Sequence, residues 1–168
     1  EHPKVTFDID VTDSLIELRV SRIEVAIRAE YVQPGDQSRS AVNLPLVVVA
    51  NAEARVDKDG TANVPLIDSV ANRRLVAWSC SDGSALTLSF PQTHRVTNRA
   101  SALQLARSGL GAVMVMRDSV SDELRSGSLV ELLPGYGFGS LDVRTRFRDR
   151  LPGQIAQAFV SSLNLAVH

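Results

Sequence analysis

The stretch "NRASALQLARSGLGAVMVM", residues 98–116, has the pattern of a helix that stops at a glycine and continues as an apolar strand. Asn98 is a residue type that caps the free N–H groups of a first helical turn. The helix is predicted over 99–108, Gly109 is predicted to end it, and the apolar run that follows predicts a buried strand. A helix followed directly by a buried strand is typical of α/β proteins.

The glycines of this stretch, Gly109 and Gly111, come after the helix and not before it. A phosphate-binding loop needs its glycines ahead of a helix N-terminus, where free N–H groups point at the ligand. The carboxyl end of a helix carries a partial negative charge, which repels phosphate. The sequence therefore predicts a helix cap and a tight turn here.

The rest of the chain alternates between strand and helix patterns, and 43–51 has the continuous apolar run of a strand buried on both faces. Strands are predicted at 5–11, 24–28, 43–51, 74–78, 85–90, 93–97, 111–116, 128–133 and 141–147. Helices are predicted after Thr12 or Asp13 up to Ile23, near 66–72, at 99–108, at 119–125 and after Pro152. The segments 85–90 and 93–97 are expected to pair around Pro91. The alternation predicts an α/β protein with largely parallel sheets.

The charge and the apolar content of the sequence disfavour DNA-binding and membrane-spanning classes of protein. The 168 residues carry a net charge of −1, which leaves no overall electrostatic footprint for DNA or an acidic membrane. No run of residues is long and apolar enough for a membrane span. The chain opens at Glu1 directly before a strand pattern, and we expect it to be a piece of a longer protein.

A catalytic site is not expected. Cys80 is the only cysteine, so no intrachain disulfide can form, and no GxSxG motif is present. A Cys80–His94 pair is a candidate for nucleophilic catalysis, but a structural cysteine is the more common case. The three histidines lack metal-ligand spacing. We therefore expect no enzyme, no metal site and no cofactor.

The run "RTRFRDR", residues 144–150, places arginines at alternate positions. In a strand, Arg144, Arg146 and Arg148 share one face, and Val143, Thr145 and Phe147 share the other. We expect a solvated or partner-facing edge in preference to a nucleic-acid surface.

Two predicted helix N-termini carry small polar residues. Thr12, Asp13 and Ser14 begin one helix, and Thr97 and Asn98 begin another. Hydroxyl groups and free backbone N–H groups suit a small anion or a carboxylate. Helix capping alone also explains these residues, so both interpretations stay open.

The ordered set of motifs resembles the effector-binding domain of LysR-type transcriptional regulators. Residues 98–133, "NRASALQLARSGLGAVMVMRDSVSDELRSGSLVELL", look like the family's helix, Gly-Leu-Gly turn, apolar strand, short helix and "G-x-LV-x-L" strand. Residues 2–28 resemble the family's "YP-x-V-x-L…D-x-AIR" opening, and "LPGQIAQAFVSSL", residues 151–163, resembles its closing helix. The resemblance covers nearly the whole chain, although the family's domain normally begins one strand and one helix earlier.

The resemblance implies two Rossmann-like lobes joined by two crossover strands, as in type II periplasmic binding proteins. Lobe I is expected at 1–44 plus 143–168, without the family's first strand and helix, and lobe II at 45–142. The crossovers are placed near 43–46 and 142–147.

The resemblance also implies an effector site and a function. Six residues map to the cleft between the lobes: Thr12, Asp13 and Ser14 of lobe I, and Thr97, Asn98 and Met116 of lobe II. Two facing helix N-termini in the cleft favour an anionic effector. The implied function is a cytoplasmic ligand-sensing domain that modulates DNA binding by a helix-turn-helix domain absent from this chain, and a homodimer or higher oligomer is expected. The alternative is an exported solute-binding protein of the same fold.

Overall fold

The computed structural model describes residues 4–12, 17–18, 21–33, 42–69, 73–149, 151 and 153–163. Its strands are β1 Val25–Val32, β2 Asn43–Asn51, β3 Leu66–Asp68, β4 Arg74–Ser79, β5 Ala85–Ser89, β6 Thr93–Arg95, β7 Ala112–Met116, β8 Leu129–Glu131, β9 Tyr136–Gly137 and β10 Ser140–Phe147. Its helices are α1 Arg99–Arg107, α2 Ser121–Ser126 and α3 Gln154–Ser162, with a 3₁₀ turn at Arg117–Val120. None of the described helices is both long and apolar enough to cross a membrane.

The larger of two sheets has the strand order β1–β10–β2–β7–β3–β6, and β8 pairs with the last residues of β2. Most of its pairs are antiparallel, and only β3–β6 and β3–β7 are parallel. The smaller sheet has the order β5–β4–β9 and is antiparallel. The fold is thus α/β with mixed sheets.

The core lies on both faces of β2. Leu46, Val48 and Ala50 join a cluster with the smaller sheet on one face, whereas Val47 and Val49 pack against Ala102 and Ala106 of α1 on the other. Burying a Val or Leu side chain stabilises the fold by about 1.5–3 kcal/mol. The prediction that the apolar run at 43–51 forms a strand buried on both faces is therefore confirmed.

The 98–116 stretch folds as the sequence predicts. Asn98 caps α1 because its side-chain oxygen accepts a hydrogen bond from the Ser101 N–H at 2.9 Å. Gly109 follows the helix with φ of 81°, a backbone conformation that glycine adopts at no steric cost. A side chain at Gly111 would place a Cβ atom 2.5 Å from the Pro65 carbonyl oxygen, so β7 approaches its neighbour closely here.

The predicted helix near 66–72 is wrong over its described residues. Leu66–Asp68 is strand β3, and Leu66 and Ile67 are buried between β6 and β7. The apolar run is short, and periodicity alone does not separate a buried strand from a helix segment. Pairing with two distant neighbours determines the outcome.

Two pairing predictions are also wrong. The strands on either side of Pro91 do not pair with each other, because β5 pairs with β4 and β6 pairs with β3. The sheets are not largely parallel, because β2 and β10 run antiparallel to each of their neighbours.

Two predictions near the N-terminus, a strand at 5–11 and a helix up to Ile23, are wrong over their described residues. Residues 5–12 have no regular secondary structure, although Phe7 stacks against Phe159 of α3 with ring centroids 4.9 Å apart. The helix predicted up to Ile23 is absent at 17–18 and 21–23, and 13–16 and 19–20 lie outside the described residues. An alternating apolar pattern needs a neighbouring strand, and none pairs with 5–12 in the described part of the chain.

Candidate functional site

Three parallel strands end at one edge of the larger sheet. β3 lies between β6 and β7, and Ile67 is in register with His94 on one side and with Val113 on the other. Thr97 and Met116 each lie three residues beyond those partners, so both are at the same level along the sheet. Adjacent strands are about 4.8 Å apart, which puts the two backbones about 10 Å from each other. Carboxyl edges of this kind are where open α/β sheets bind ligands.

Thr97 and Asn98 lie at the start of α1, and both are exposed. The Asn98 side-chain oxygen accepts a hydrogen bond from the Ser101 N–H. The backbone carbonyl oxygen of Asn98 accepts another from the Ala102 N–H at 3.0 Å. Capping therefore uses the Asn98 side-chain oxygen in this structure. The first turn of α1 contains no acidic residue, so no side chain of that turn compensates the positive end of the helix dipole.

Met116 is the last residue of β7 and is 36% exposed. It lies opposite Leu46 of β2, and opposite residues of an antiparallel pair project from the same face. Leu46 belongs to the core cluster on the face away from α1. Met116 and the α1 N-terminus thus share an edge of the sheet but lie on opposite faces of it.

The remaining predicted site residues are only partly described. Thr12 is exposed in a segment without regular structure, and it already has a polar partner in its own chain. Asp13 and Ser14 lie outside the described residues. The structure therefore brings Thr97, Asn98 and Met116 to one edge, and of the predicted lobe I half it describes only Thr12.

Sequence reasoning missed Asp68 and Ser69, which lie at the end of β3 between the two halves of the edge. The Asp68 carboxylate accepts from the Ser69 N–H at 2.7 Å, and the Asp68 carbonyl oxygen accepts from the Val96 N–H at 2.9 Å. Asp68 places a negative charge between Thr97 and Met116. The signal was the short "LIDS" run after Pro65, which the helix prediction concealed.

Arginines surround this edge. Arg95 ends β6 and is exposed, Arg99 begins α1, and Arg117 follows Met116. The guanidinium of Arg117 forms an ion pair with Glu131 at 2.5 Å. Carboxylates lie at this edge as well, because Asp68 ends β3 and Asp118 follows Arg117.

Cys80 and His94 do not form a catalytic pair in this arrangement. Cys80 is exposed in the turn after β4 of the smaller sheet, whereas His94 lies in β6 of the larger one. Among the residues that the structure describes, no group of three or more His, Cys, Asp or Glu residues could hold a metal ion.

The arginine run lies in the part of β10 that pairs with β1 alone among the described strands, because β2 pairs only with residues 140–142 of β10. Arg146 is exposed, and the expected solvated or partner-facing edge stays a prediction. Arg144 contacts Glu30 at 2.9 Å and the buried Asp142 at 3.6 Å, and Arg146 contacts Glu30 at 3.5 Å. These arginines balance carboxylates of the same chain.

The amino-acid sequence matches the LysR substrate binding domain family over residues 1–164. A search of curated protein sequences finds no match. The full-length Vibrio cholerae virulence activator AphB, a member of the LTTR protein family, is similar in structure with a TM-score of 0.66 and 13% identity, over 95% of this chain and 57% of AphB. The chain therefore spans little more than half of that regulator.

Two effector domains of AmpR are also similar. The transcriptional regulator AmpR of Pseudomonas aeruginosa gives a TM-score of 0.61 at 17% identity, over 97% of this chain and 81% of that domain. The AmpR effector binding domain of Citrobacter freundii gives 0.61 at 14% identity, over 97% of this chain and 84% of that domain. Identities this low show the fold, which is the periplasmic-binding-protein-like fold of LysR substrate-binding domains. The family consists of effector-binding domains and not of enzymes, and this chain belongs to it.

Proposed function

We propose that the chain is the ligand-sensing domain of a LysR-type transcriptional regulator. A small effector binds at the carboxyl edge of β3, β6 and β7, and binding modulates how a helix-turn-helix domain, absent from this chain, binds DNA. The observation that carries the proposal is the position of Thr97 and Asn98 at the carboxyl edge of three parallel strands, at a helix whose first turn has no acidic residue. Met116 lies at the same edge on the other face of the sheet. The family match supports it.

The edge is proposed to face a cleft between two lobes, 1–44 plus 143–168 and 45–142. The path of β2 supports this division, because its first residues pair with β10 and its next residues pair with β7. One strand thus passes from one set of neighbours to another, as a crossover strand does. The lobe I residues of the site would be Thr12, Asp13 and Ser14.

The effector is proposed to be a small carboxylate or another anion with an apolar part. The α1 N-terminus and the nearby arginines favour the negative charge. Met116 offers an adaptable apolar wall on the other face of the sheet. Asp68 repels a second negative charge close to β3 and accepts hydrogen bonds, so a monocarboxylate with a donor group suits the edge better than a dianion.

Regulation requires that the effector bind two arrangements of the lobes or of the oligomer with different affinity. An effector that binds both equally shifts nothing. The regulator is proposed to act in the cytoplasm as a homodimer or higher oligomer. The family match favours this function over that of an exported solute-binding protein.

A thermal-shift screen of small monocarboxylates and dicarboxylates, followed by calorimetry, tests the proposal. At least one monocarboxylate is expected to raise the melting temperature. Thr97→Val is expected to weaken its binding about tenfold, the effect of one lost hydrogen bond to a charged group. Ser108→Ala at the other end of α1, where the hydroxyl donates to the Gln104 and Leu105 carbonyl oxygens, is the matched control. Binding that Thr97→Val leaves unchanged would place the effector elsewhere.

A further inference from the structure

The Tyr31 side chain reaches beyond the strand pair in which it lies. In register, Tyr31 of β1 is opposite Leu141 of β10. Its hydroxyl, however, donates a hydrogen bond at 3.0 Å to the backbone carbonyl oxygen of Phe138, which precedes β10. Desolvation by burial raises the pKa of Tyr31 above its usual value, so the hydroxyl stays protonated and can donate at neutral pH. One side chain thus ties β1 to the segment before β10.

The ring of Tyr31 lies close to Gly139, its diagonal neighbour across the strand pair. A Cβ atom on Gly139 would lie 2.7 Å from Cε2 of that ring and 2.5 Å from the Val32 carbonyl oxygen. Gly139 also has a φ of 88°, in the left-handed region that glycine adopts without steric cost. Position 139 therefore requires glycine for two reasons, its backbone conformation and the close approach of β1.

The segment that Tyr31 contacts, Phe138 and Gly139, bonds to β2 at Leu46. The Leu46 N–H donates to the Gly139 carbonyl oxygen at 2.9 Å, and the Leu46 carbonyl oxygen accepts from the Phe138 N–H at 3.4 Å. The residue before Leu46 is Pro45, which has no N–H to donate. The side chains of Leu46 and Phe138 are buried in the same core cluster. Leu46 is therefore the residue through which this segment is held against β2.

Leu46 connects the segment to the candidate site. The N–H and C=O groups of one strand residue point to the same side, and those of Leu46 point toward Phe138 and Gly139. Leu46 and Met116 of β7 therefore form a non-hydrogen-bonded pair, in which Cα atoms lie about 4.5 Å apart and side chains come closest. A movement of the segment before β10 thus shifts Leu46, and with it the side chain of Met116.

We propose that Tyr31 is a positioning residue for the effector site: it fixes the segment before β10 against Leu46, and Leu46 fixes Met116 opposite it. The role rests on the proposed function, because Met116 belongs to the site proposed there. In the proposed division, Tyr31 lies in lobe I and Phe138 in lobe II, so the contact also joins the two lobes. The effector then meets a wall that is already ordered, and preorganisation of this kind raises affinity.

Amide hydrogen exchange of the ligand-free protein tests the contact between Tyr31 and the segment. Tyr31→Phe retains the ring and removes one hydrogen bond, so the Leu46 N–H is expected to exchange about fivefold faster. The Ala102 N–H of α1 is the internal reference, because a general loss of stability would speed both amides equally. An unchanged Leu46 rate, or equal acceleration of both amides, would contradict the role of Tyr31.

Tyr136→Phe is the matched control for Tyr31→Phe. Tyr136 packs against the core cluster that contains Leu46, and its hydroxyl makes no hydrogen bond among the described residues. The same chemical change at this position is therefore expected to leave the exchange rate of the Leu46 N–H within about 1.5-fold of the wild-type rate. Equal acceleration by the two variants would show that the Tyr31 hydrogen bond has no particular role.

Methyl NMR tests the step from Leu46 to Met116. The chain has two methionines, so ¹³C-methyl labelling gives two signals, and Met114→Leu assigns them. Tyr31→Phe is expected to shift or broaden the Met116 signal. The Met114 signal is expected to stay unchanged, because Met114 lies opposite Val48 in the packed part of β2. Two unchanged signals, or equal changes in both, would overturn the proposal.

Calorimetric titration with 4-hydroxybenzoate tests the consequence for binding. Tyr31→Phe is expected to weaken binding about threefold, and Tyr136→Phe less than about 1.5-fold. Equal affinity of the wild-type protein and Tyr31→Phe would contradict the positioning role and leave the proposed function intact. A wild-type protein that binds no small anion would contradict the proposed function, whereas the exchange and methyl measurements, which need no ligand, would still decide whether Tyr31 positions Met116.

Discussion

The α1 side of the larger sheet and the ribbon of β1 and β10 are built from strands of similar length but are covered very differently. In β2, residues 46–50 are all buried, with α1 on one face and the smaller sheet on the other. In β1, Ile27 and Tyr31 of the ribbon remain half exposed. The same α/β chain thus has one region stabilised by packing on two faces and another stabilised mainly by a backbone ladder and ion pairs.

This difference predicts where the stability of the fold resides. Leu66→Ala, in the packed region, is expected to lower the free energy of unfolding by about 3 kcal/mol, because it leaves a cavity between three strands. Ile27→Ala, in the ribbon, is expected to cost about 0.5 kcal/mol, as at other exposed sites. Urea denaturation of both variants measures the two values, and similar losses would show that the regions are equally packed.

The close approach at the Gly-Leu-Gly turn is the next sensitive point. Gly111→Ala is expected to destabilise the protein by about 3 kcal/mol, because the new Cβ would lie 2.5 Å from the Pro65 carbonyl oxygen. Gly127→Ala separates this clash from backbone strain: Gly127 has a φ of 75° and nothing within 4 Å of the added atom, so about 1 kcal/mol is expected. Thermal unfolding compares the two variants. Equal costs would mean that the clash relaxes freely.

The helix cap should have a smaller effect. Asn98→Ala is expected to lower the free energy of unfolding by about 1 kcal/mol, because the Ser101 N–H loses its acceptor. Asn98→Ser retains a capping oxygen and is expected to cost only a few tenths, about 0.3 kcal/mol. Denaturant unfolding of the two variants measures the capping role. Calorimetric titration of Asn98→Ser with an effector tests binding separately, and a loss of binding in that variant would show a contact beyond the cap.

The smallest effect is expected at the junction of α1 and α2. Two contacts lower the pKa of Glu123 below its usual value: the backbone N–H of Glu123 itself, which contributes most, and the Arg107 side chain. Because the pKa of Glu123 is lower in the folded protein, these contacts stabilise the fold at pH values above the pKa that Glu123 has in the unfolded chain. The stabilisation is lost as the pH falls through the pKa of the folded protein. Arg107→Gln is expected to raise the pKa of Glu123 partway, since the backbone contact remains. An NMR pH titration measures it, and an unchanged pKa would exclude the ion pair in solution.

The sequence predicted what local chemistry controls. Asn98, the apolar spacing of α1 and Gly109 lie within twelve residues of one another, and they specified a helix, its cap and its end. The buried run of β2 was equally clear. The resemblance to LysR effector domains supplied the fold, which the family match confirms.

Long-range pairing was not predictable from the same patterns. The strands on either side of Pro91 separate into two sheets, and Leu66 and Ile67 become a strand only because β6 and β7 flank them. The Asp68 carboxylate at the candidate site was missed for this reason. The ion pairs of Arg144 and Arg146 with Glu30 of the adjacent strand were missed as well. Each error concerns a neighbour that is distant in sequence.

An amide NMR titration tests the central claim most directly, namely that the carboxyl edge of β3, β6 and β7 binds an anionic effector. The ¹⁵N-labelled protein would be titrated with acetate, 4-hydroxybenzoate and succinate. Saturable shifts are expected at Ser69, at Thr97 to Ala100 and at Met116 to Asp118, with the largest changes for a monocarboxylate. Saturable shifts confined to other regions, such as the turn from Cys80 to Ser84, or no saturable shift with any of the three anions, would contradict the account.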